Sequence, residues 1–163
     1  MNLGSRVKGF HACIEYLEEK SKKESGSLVL GGRSMGARAA VMAASEILET
    51  HPEDGKIDII LVSYPLKGPK DTRDQILLDL PASVNVLFII GDRDSMCPLD
   101  LLDQVRSKMR AKSQLAIVRG ADHGMHTRPA KLEKDMGEET GRIAADWVAG
   151  RRRDEAVYIG EEA

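Results

Sequence analysis

Six aromatic side chains in 163 residues is a small allotment: two Phe, three Tyr and one Trp. Leu, Ile, Val, Ala and Met must therefore fill whatever core the chain builds. Cysteine is as scarce, with Cys13 and Cys97 alone. Two thiols make no disulfide framework, and no Cys/His cluster has metal-ligand spacing, so neither a metal nor another cofactor is expected. No apolar run approaches the ~20 residues that span a bilayer. The N-terminus, Met1-Asn2-Leu3-Gly4-Ser5-Arg6, lacks the apolar stretch of a signal peptide. A net charge of −2 gives no electrostatic case for nucleic acid or an anionic membrane surface. These absences point to the cytosol, with the nucleus as second address, and to a small-molecule or protein partner.

The chain holds 42% apolar and 31% charged residues, a balance that folds. Val7, Phe10, Ile14 and Leu17 recur at helical spacing and predict a first helix over 5–21. Ser-Lys-Lys-Glu-Ser-Gly (21–26) breaks it. Apolar strands are predicted at Ser27–Leu30, Ile57–Val62, Val84–Ile90 and Gln114–Val118. Helices are expected from Gly36, where Ala37, Ala40, Val41, Ala44 and Ile47 share a face, then behind Pro98, and around Met136–Val148. Alternating strand and helix is the pattern of a doubly wound parallel sheet in three α/β/α layers. The domain is expected over 1–150. A charged tail follows over 151–163, with Arg151-Arg152-Arg153 read as a solvated helix end.

Gly32-Arg33-Ser34-Met35-Gly36 fits G-x-S-x-G between a predicted strand and a predicted helix. That placement suits a Ser at the apex of a sharp strand-to-helix turn. Gly32 and Gly36 are expected to remove Cβ atoms where strand and helix crowd. The Met35 N–H, at the start of the helix, would face a developing oxyanion. A Ser nucleophile needs a base, and the base needs an orienting group. Asp94 follows the third strand in Gly91-Asp92-Arg93-Asp94, and His123 follows the fourth in Asp122-His123-Gly124. Both lie at carboxyl ends of strands, where open α/β sheets place their sites, in the chain order Ser, Asp, His. Asp92 reads as a turn residue, and His126 stands in reserve for His123. Tyr64 and Met96 follow strand ends and could wall a pocket. Arg33 either meets an anionic substrate group or pairs with a neighbouring carboxylate. Nucleotide binding fits badly, because Arg33 stands at the middle glycine of G-x-G-x-x-G and no P-loop Lys-Ser/Thr pair follows.

Gly31-Gly32-Arg33-Ser34-Met35-Gly36-Ala37-Arg38, Leu61-Val62-Ser63-Tyr64-Pro65-Leu66 and Gly91-Asp92-Arg93-Asp94 resemble a small α/β-hydrolase-like family. It contains the third NSL histone-acetyltransferase complex subunit and its testis-expressed relative, and the resemblance runs from about residue 6 to 149. It implies a hydrolase-like fold with Ser34, Asp94 and His123 at the triad positions, but no substrate, since some members look like complex subunits. Hydrolases of this class begin with several strands and a Gly-rich loop that gives a second oxyanion donor. Losing such a donor costs ~10²–10³ in kcat, about 2.7–4 kcal/mol. Their absence here predicts an open edge at Leu28–Leu30 and a truncated gene model. The expected function is a serine hydrolase of an ester, thioester or amide; the alternative is a non-catalytic hydrolase-like subunit that binds a protein.

Overall fold

A computed structural model describes residues 2–21, 27–52 and 56–160. Of the helix break expected at 21–26, Ser21 still belongs to the first helix and 22–26 lie outside the described residues. Helix α1 spans Leu3–Ser21, β1 Leu28–Arg33, α2 Met35–Thr50, β2 Ile57–Val62 and α3 Gln75–Leu78. Then come β3 (Asn85–Gly91), α4 (Leu99–Arg106), β4 (Lys112–Val118), α5 (Leu132–Val148) and β5 (Val157–Ile159). The five strands form one all-parallel sheet in the order β1-β2-β3-β4-β5.

The period-two alternation of strand side chains divides the core between the two faces of the sheet. Ile57, Ile59 and Leu61 of β2, Val86, Phe88 and Ile90 of β3, and Leu115 and Ile117 of β4 share a cluster with α2 and α4. Leu87, Ile89, Ala116 and Val118 point the other way, to Met136 and Trp147 of α5. Strands buried on both sides explain the nearly continuous apolar runs of β2 and β3. Five alanines of α2, at 37, 39, 40, 43 and 44, are fully buried. Their small side chains let the helix lie close to the sheet. Helix α1 covers α2 through Leu3, Val7, Phe10 and Ile14.

Three features go beyond the sequence reading. Strand β1 runs on through Gly31-Gly32-Arg33, so Ser34 follows the strand without a loop. The short α3 lies in a stretch with no helical periodicity of its own. Residues 157–159, within the stretch assigned to a charged tail, form β5 against β4. Arg152 of the basic triplet stacks over Trp147 at 4.5 Å and pairs with Asp58, so it is a packing residue rather than a solvated one. The tail's last residues, 161–163, lie outside the described residues. No described helix is long and apolar enough to cross a membrane.

Candidate active site

The carboxyl ends of β1, β3 and β4 meet at one edge of the sheet. Ser34 joins β1 to α2 with φ 53 and ψ −117, a conformation that L residues rarely adopt and that costs on the order of 1–3 kcal/mol. The Ser34 N–H donates to the Val62 carbonyl at 3.0 Å, and the Ser34 carbonyl accepts from Ala37 and Arg38 of α2. Both sides of the turn are thus fixed by elements in contact with β1. A Cβ on Gly32 would fall onto the Gly36 carbonyl and within 2.7 Å of the Ala37 nitrogen, so only glycine fits there. Gly36 corrects the expectation of crowding on both sides of the turn: a Cβ there meets nothing within 4 Å.

Asp94 is 3% exposed. The turn after β3 carries it beneath the sheet edge, where its Oδ1 accepts the Met96 N–H at 2.9 Å. Its two carboxylate oxygens lie 3.0 and 2.9 Å from His123 Nδ1. His123 Nε2 in turn lies 2.9 Å from Ser34 Oγ. Ser34, His123 and Asp94 therefore form one continuous hydrogen-bonded chain, drawn from the β1–α2 junction and the loops after β3 and β4. The His123 side chain is 26% exposed, so the chain runs from a buried carboxylate to a half-buried serine hydroxyl. His126, two residues beyond Gly124, turns away toward Glu133 and is 71% exposed.

The loops carrying Asp94 and His123 are locked to each other. Arg93 N–H donates to the Ala121 carbonyl at 3.0 Å, and Gly120 N–H donates to Asp92 Oδ1 at 2.7 Å. Asp92 is therefore a clamp between the two loops. Gly91 is indispensable to the same contact, since a Cβ there would overlap the Ala121 carbonyl. Asp122 folds back on its own loop and accepts the N–H groups of His126 and Gly124. The His126 N–H, then that of Gly124, hold its carboxyl below the usual range against some opposing desolvation.

Met35 opens α2, and its N–H precedes the intrahelical ladder. Its side chain is 39% exposed beside Ser34. Met96 acts through its backbone, its N–H holding Asp94 and its carbonyl accepting from Lys67. Tyr64 does not wall a pocket mouth: it is fully buried, its hydroxyl donates to the Arg73 carbonyl at 2.7 Å, and burial pushes its pKa well up. It packs edge-on against Phe88 as a core residue. Arg33 lies beside the site, its Nη2 3.5 Å from the His123 carbonyl oxygen. Two site residues went unread in the sequence. Ser63, after β2, has φ 48, is wholly buried and leaves its hydroxyl without a hydrogen bond. Gly91 carried no assignment beyond its place in Gly91-Asp92-Arg93-Asp94. No sequence signal marks the first, because strain at a non-glycine residue is visible only in coordinates. No group of three or more His, Cys, Asp or Glu among the described residues could hold a metal ion.

Residues 4–150 match the family model described as an alpha/beta hydrolase domain. A 67-residue stretch is 39% identical to phospholipase A1-IIdelta of Arabidopsis thaliana, covering 40% of this chain and 16% of that protein. An alpha-beta serine hydrolase homologue from Coxiella burnetii has the same fold, with a TM-score of 0.55 at 17% identity. That match covers 78% of this chain and 55% of the other. The chain thus spans only part of the length of either relative. With its parallel sheet, its helices on both faces and its family match over nearly its whole length, the chain belongs to the alpha/beta hydrolase domain family.

Proposed function

We propose that the protein is a serine hydrolase that cleaves an ester, thioester or amide through an acyl-enzyme. The observation that carries this reading is the unbroken chain from Ser34 Oγ through His123 to the buried Asp94. Ser34 Oγ attacks the carbonyl carbon while its proton passes to His123 Nε2. Asp94 holds the Nδ1–H and stabilises the imidazolium. The Met35 N–H and the positive end of α2 meet the oxyanion. Collapse breaks the bond to the leaving group, which takes the proton from Nε2. Water, deprotonated by His123, then attacks the acyl-Ser34 ester, releasing the acid and restoring the hydroxyl. The partial likeness to a phospholipase agrees with ester cleavage and supplies no lipid substrate. The free thiols of Cys13 and Cys97 suit a cytosolic or nuclear setting.

A second reading is a hydrolase-like subunit of the kind found in the family of the third NSL complex subunit. The edge of β1, open among the described residues and with Val29 exposed, favours a protein partner. A fluorophosphonate probe separates the two. The hydrolase reading expects covalent labelling at Ser34, lost in Ser34→Ala and in His123→Ala, with melting temperatures close to wild type. Intact folded protein that never labels supports the subunit.

A further inference from the structure

Arg33 ends β1 and precedes Ser34, in register with Val62, whose carbonyl holds the Ser34 N–H. Its guanidinium touches the backbone carbonyl of His123, the same residue whose ring touches Ser34 Oγ. His123 thus touches the cation through its backbone and the Ser34 hydroxyl through its ring. Of the five N–H donors of the guanidinium, only Nη2 is engaged among the described residues, and weakly, at 3.5 Å. The side chain is exposed. No described carboxylate pairs with it. Its acidic neighbours are occupied: Asp92 by Gly120, Asp94 by Met96 and His123, Asp122 by Gly124 and His126.

The first turn of α2 carries no acidic residue. Arg38, one helical turn beyond Ser34, also lacks an ion-pair partner among the described residues, and its buried Nε makes no hydrogen bond. The positive end of the α2 dipole adds to both. A planar cation with free paired donors is suited to a carboxylate or phosphate held in a two-pronged grip.

We infer that Arg33 selects the substrate: the site takes esters or thioesters that carry a carboxylate or phosphate within reach of the scissile carbonyl. The inference rests on the hydrolase reading above and names the substrate class of that same site. Two arms distinguish an anion on the acyl side from one on the leaving side. The first compares p-nitrophenyl hydrogen glutarate with its methyl-capped ester. The second compares 4-acetoxybenzoate with methyl 4-acetoxybenzoate. Wild type should favour the anionic member by about tenfold in kcat/KM in one arm, equivalent to about 1.4 kcal/mol. That ratio should collapse in Arg33→Gln and return in part in Arg33→Lys, which restores the charge but not the fork. Equal rates on both members of each pair overturn the inference. So does a preference that survives Arg33→Gln.

If no ester is cleaved, the hydrolase reading fails, and binding decides the matter separately. The amide analogues, glutaric mono-(4-nitroanilide) and 4-acetamidobenzoate, are then titrated calorimetrically into Ser34→Ala and Ser34→Ala/Arg33→Gln. Binding of either that weakens tenfold without Arg33 sustains the anion site. Absent or Arg33-independent binding overturns it.

Discussion

At the scale of single residues, the two aspartates after β3 have different work. Asp94 presents both oxygens to donors, one shared between Met96 N–H and His123, the other facing His123. An amide cannot supply both acceptors. Asp94→Asn therefore sets an NH₂ against either the Met96 N–H or the His123 Nδ1–H. In the second case the imidazole shifts its proton to Nε2 and can no longer take one from Ser34. A comparable change in a Ser-His-Asp protease costs about 10⁴ in kcat, and a loss of that order is expected here. Asp92→Asn keeps an acceptor for Gly120 and should be mild, while Asp92→Ala unties the loops at a cost of ~1 kcal/mol. Turnover of an activated ester and a thermal melt read the two effects separately; mild loss in Asp94→Asn with severe loss in Asp92→Asn would reassign the acid. Cys97 gives a pH-dependent counterpart. It is fully buried, and burial first, then the neighbouring Asp94 charge, push its thiol up to about 12. Above pH 9 the unfolded chain releases this proton and the folded one keeps it. The unfolded state then binds fewer protons, so stability declines with rising pH, by at most about 1.4 kcal/mol per pH unit from this group. Melts between pH 8 and 11 should fall more steeply in wild type than in Cys97→Ala, which loses both this proton and the part of the Tyr64 shift that Cys97 causes. Parallel profiles would remove Cys97 from the account.

At the scale of elements, the strand–turn–helix around Ser34 shows what the sequence made legible. The G-x-S-x-G pattern, set between an apolar run and a helical face, was enough to locate the turn. The carboxyl ends of two further apolar runs located Asp94 and His123 beside it, because parallel strands end on a common edge. The pattern could not assign separate tasks to its two glycines. Both look alike in sequence, yet only Gly32 faces backbone, the Gly36 carbonyl lying where its Cβ would go. Gly32→Ala must pry α2 from β1 or distort the turn, with a cost of several kcal/mol in the range of severe overpacking and strain. Gly36→Ala adds a methyl to open space within a helix and should be stabilising by up to ~1 kcal/mol. Chemical denaturation of the two variants tests this directly, and equal losses would mean that the turn is tight on both sides. Ser63 and Tyr64 mark the limit of such reading. Position after a strand placed Tyr64 near the site and passed over Ser63, because the burial of the Tyr64 ring and the strained backbone of Ser63 depend on how the 63–74 segment folds.

At the scale of the whole molecule, apolar strand runs announced a sheet covered on both faces, and the two core clusters bear this out. What they could not announce is β5. Three residues, Val157-Tyr158-Ile159, give too short a run to stand out beside a charged stretch. The strand is held instead by long-range contacts: pairing with β4, and Arg119 over Tyr158 at 4.8 Å. Because α5 packs on the face opposite α2 and α4 while the strands keep advancing in one direction, its crossover has the opposite hand to those before it. Right-handed crossovers are the rule, so no pattern rule would have placed it. At the far side of the sheet, β1 pairs with β2 alone among the described strands and leaves its other backbone edge open. Val29, 36% exposed, makes this edge apolar. Lysine is a common device for blunting such an edge. Position 29 tolerates one, because it lies in register with Asp58, whose side chain points to the same face and already pairs with Arg152. Light scattering on the wild-type chain should show association that grows with concentration, and Val29→Lys should suppress it with little change in melting temperature. A wild type that stays monomeric across the same range would show that the twist of the edge, or the charge of Arg33 at its end, already prevents pairing.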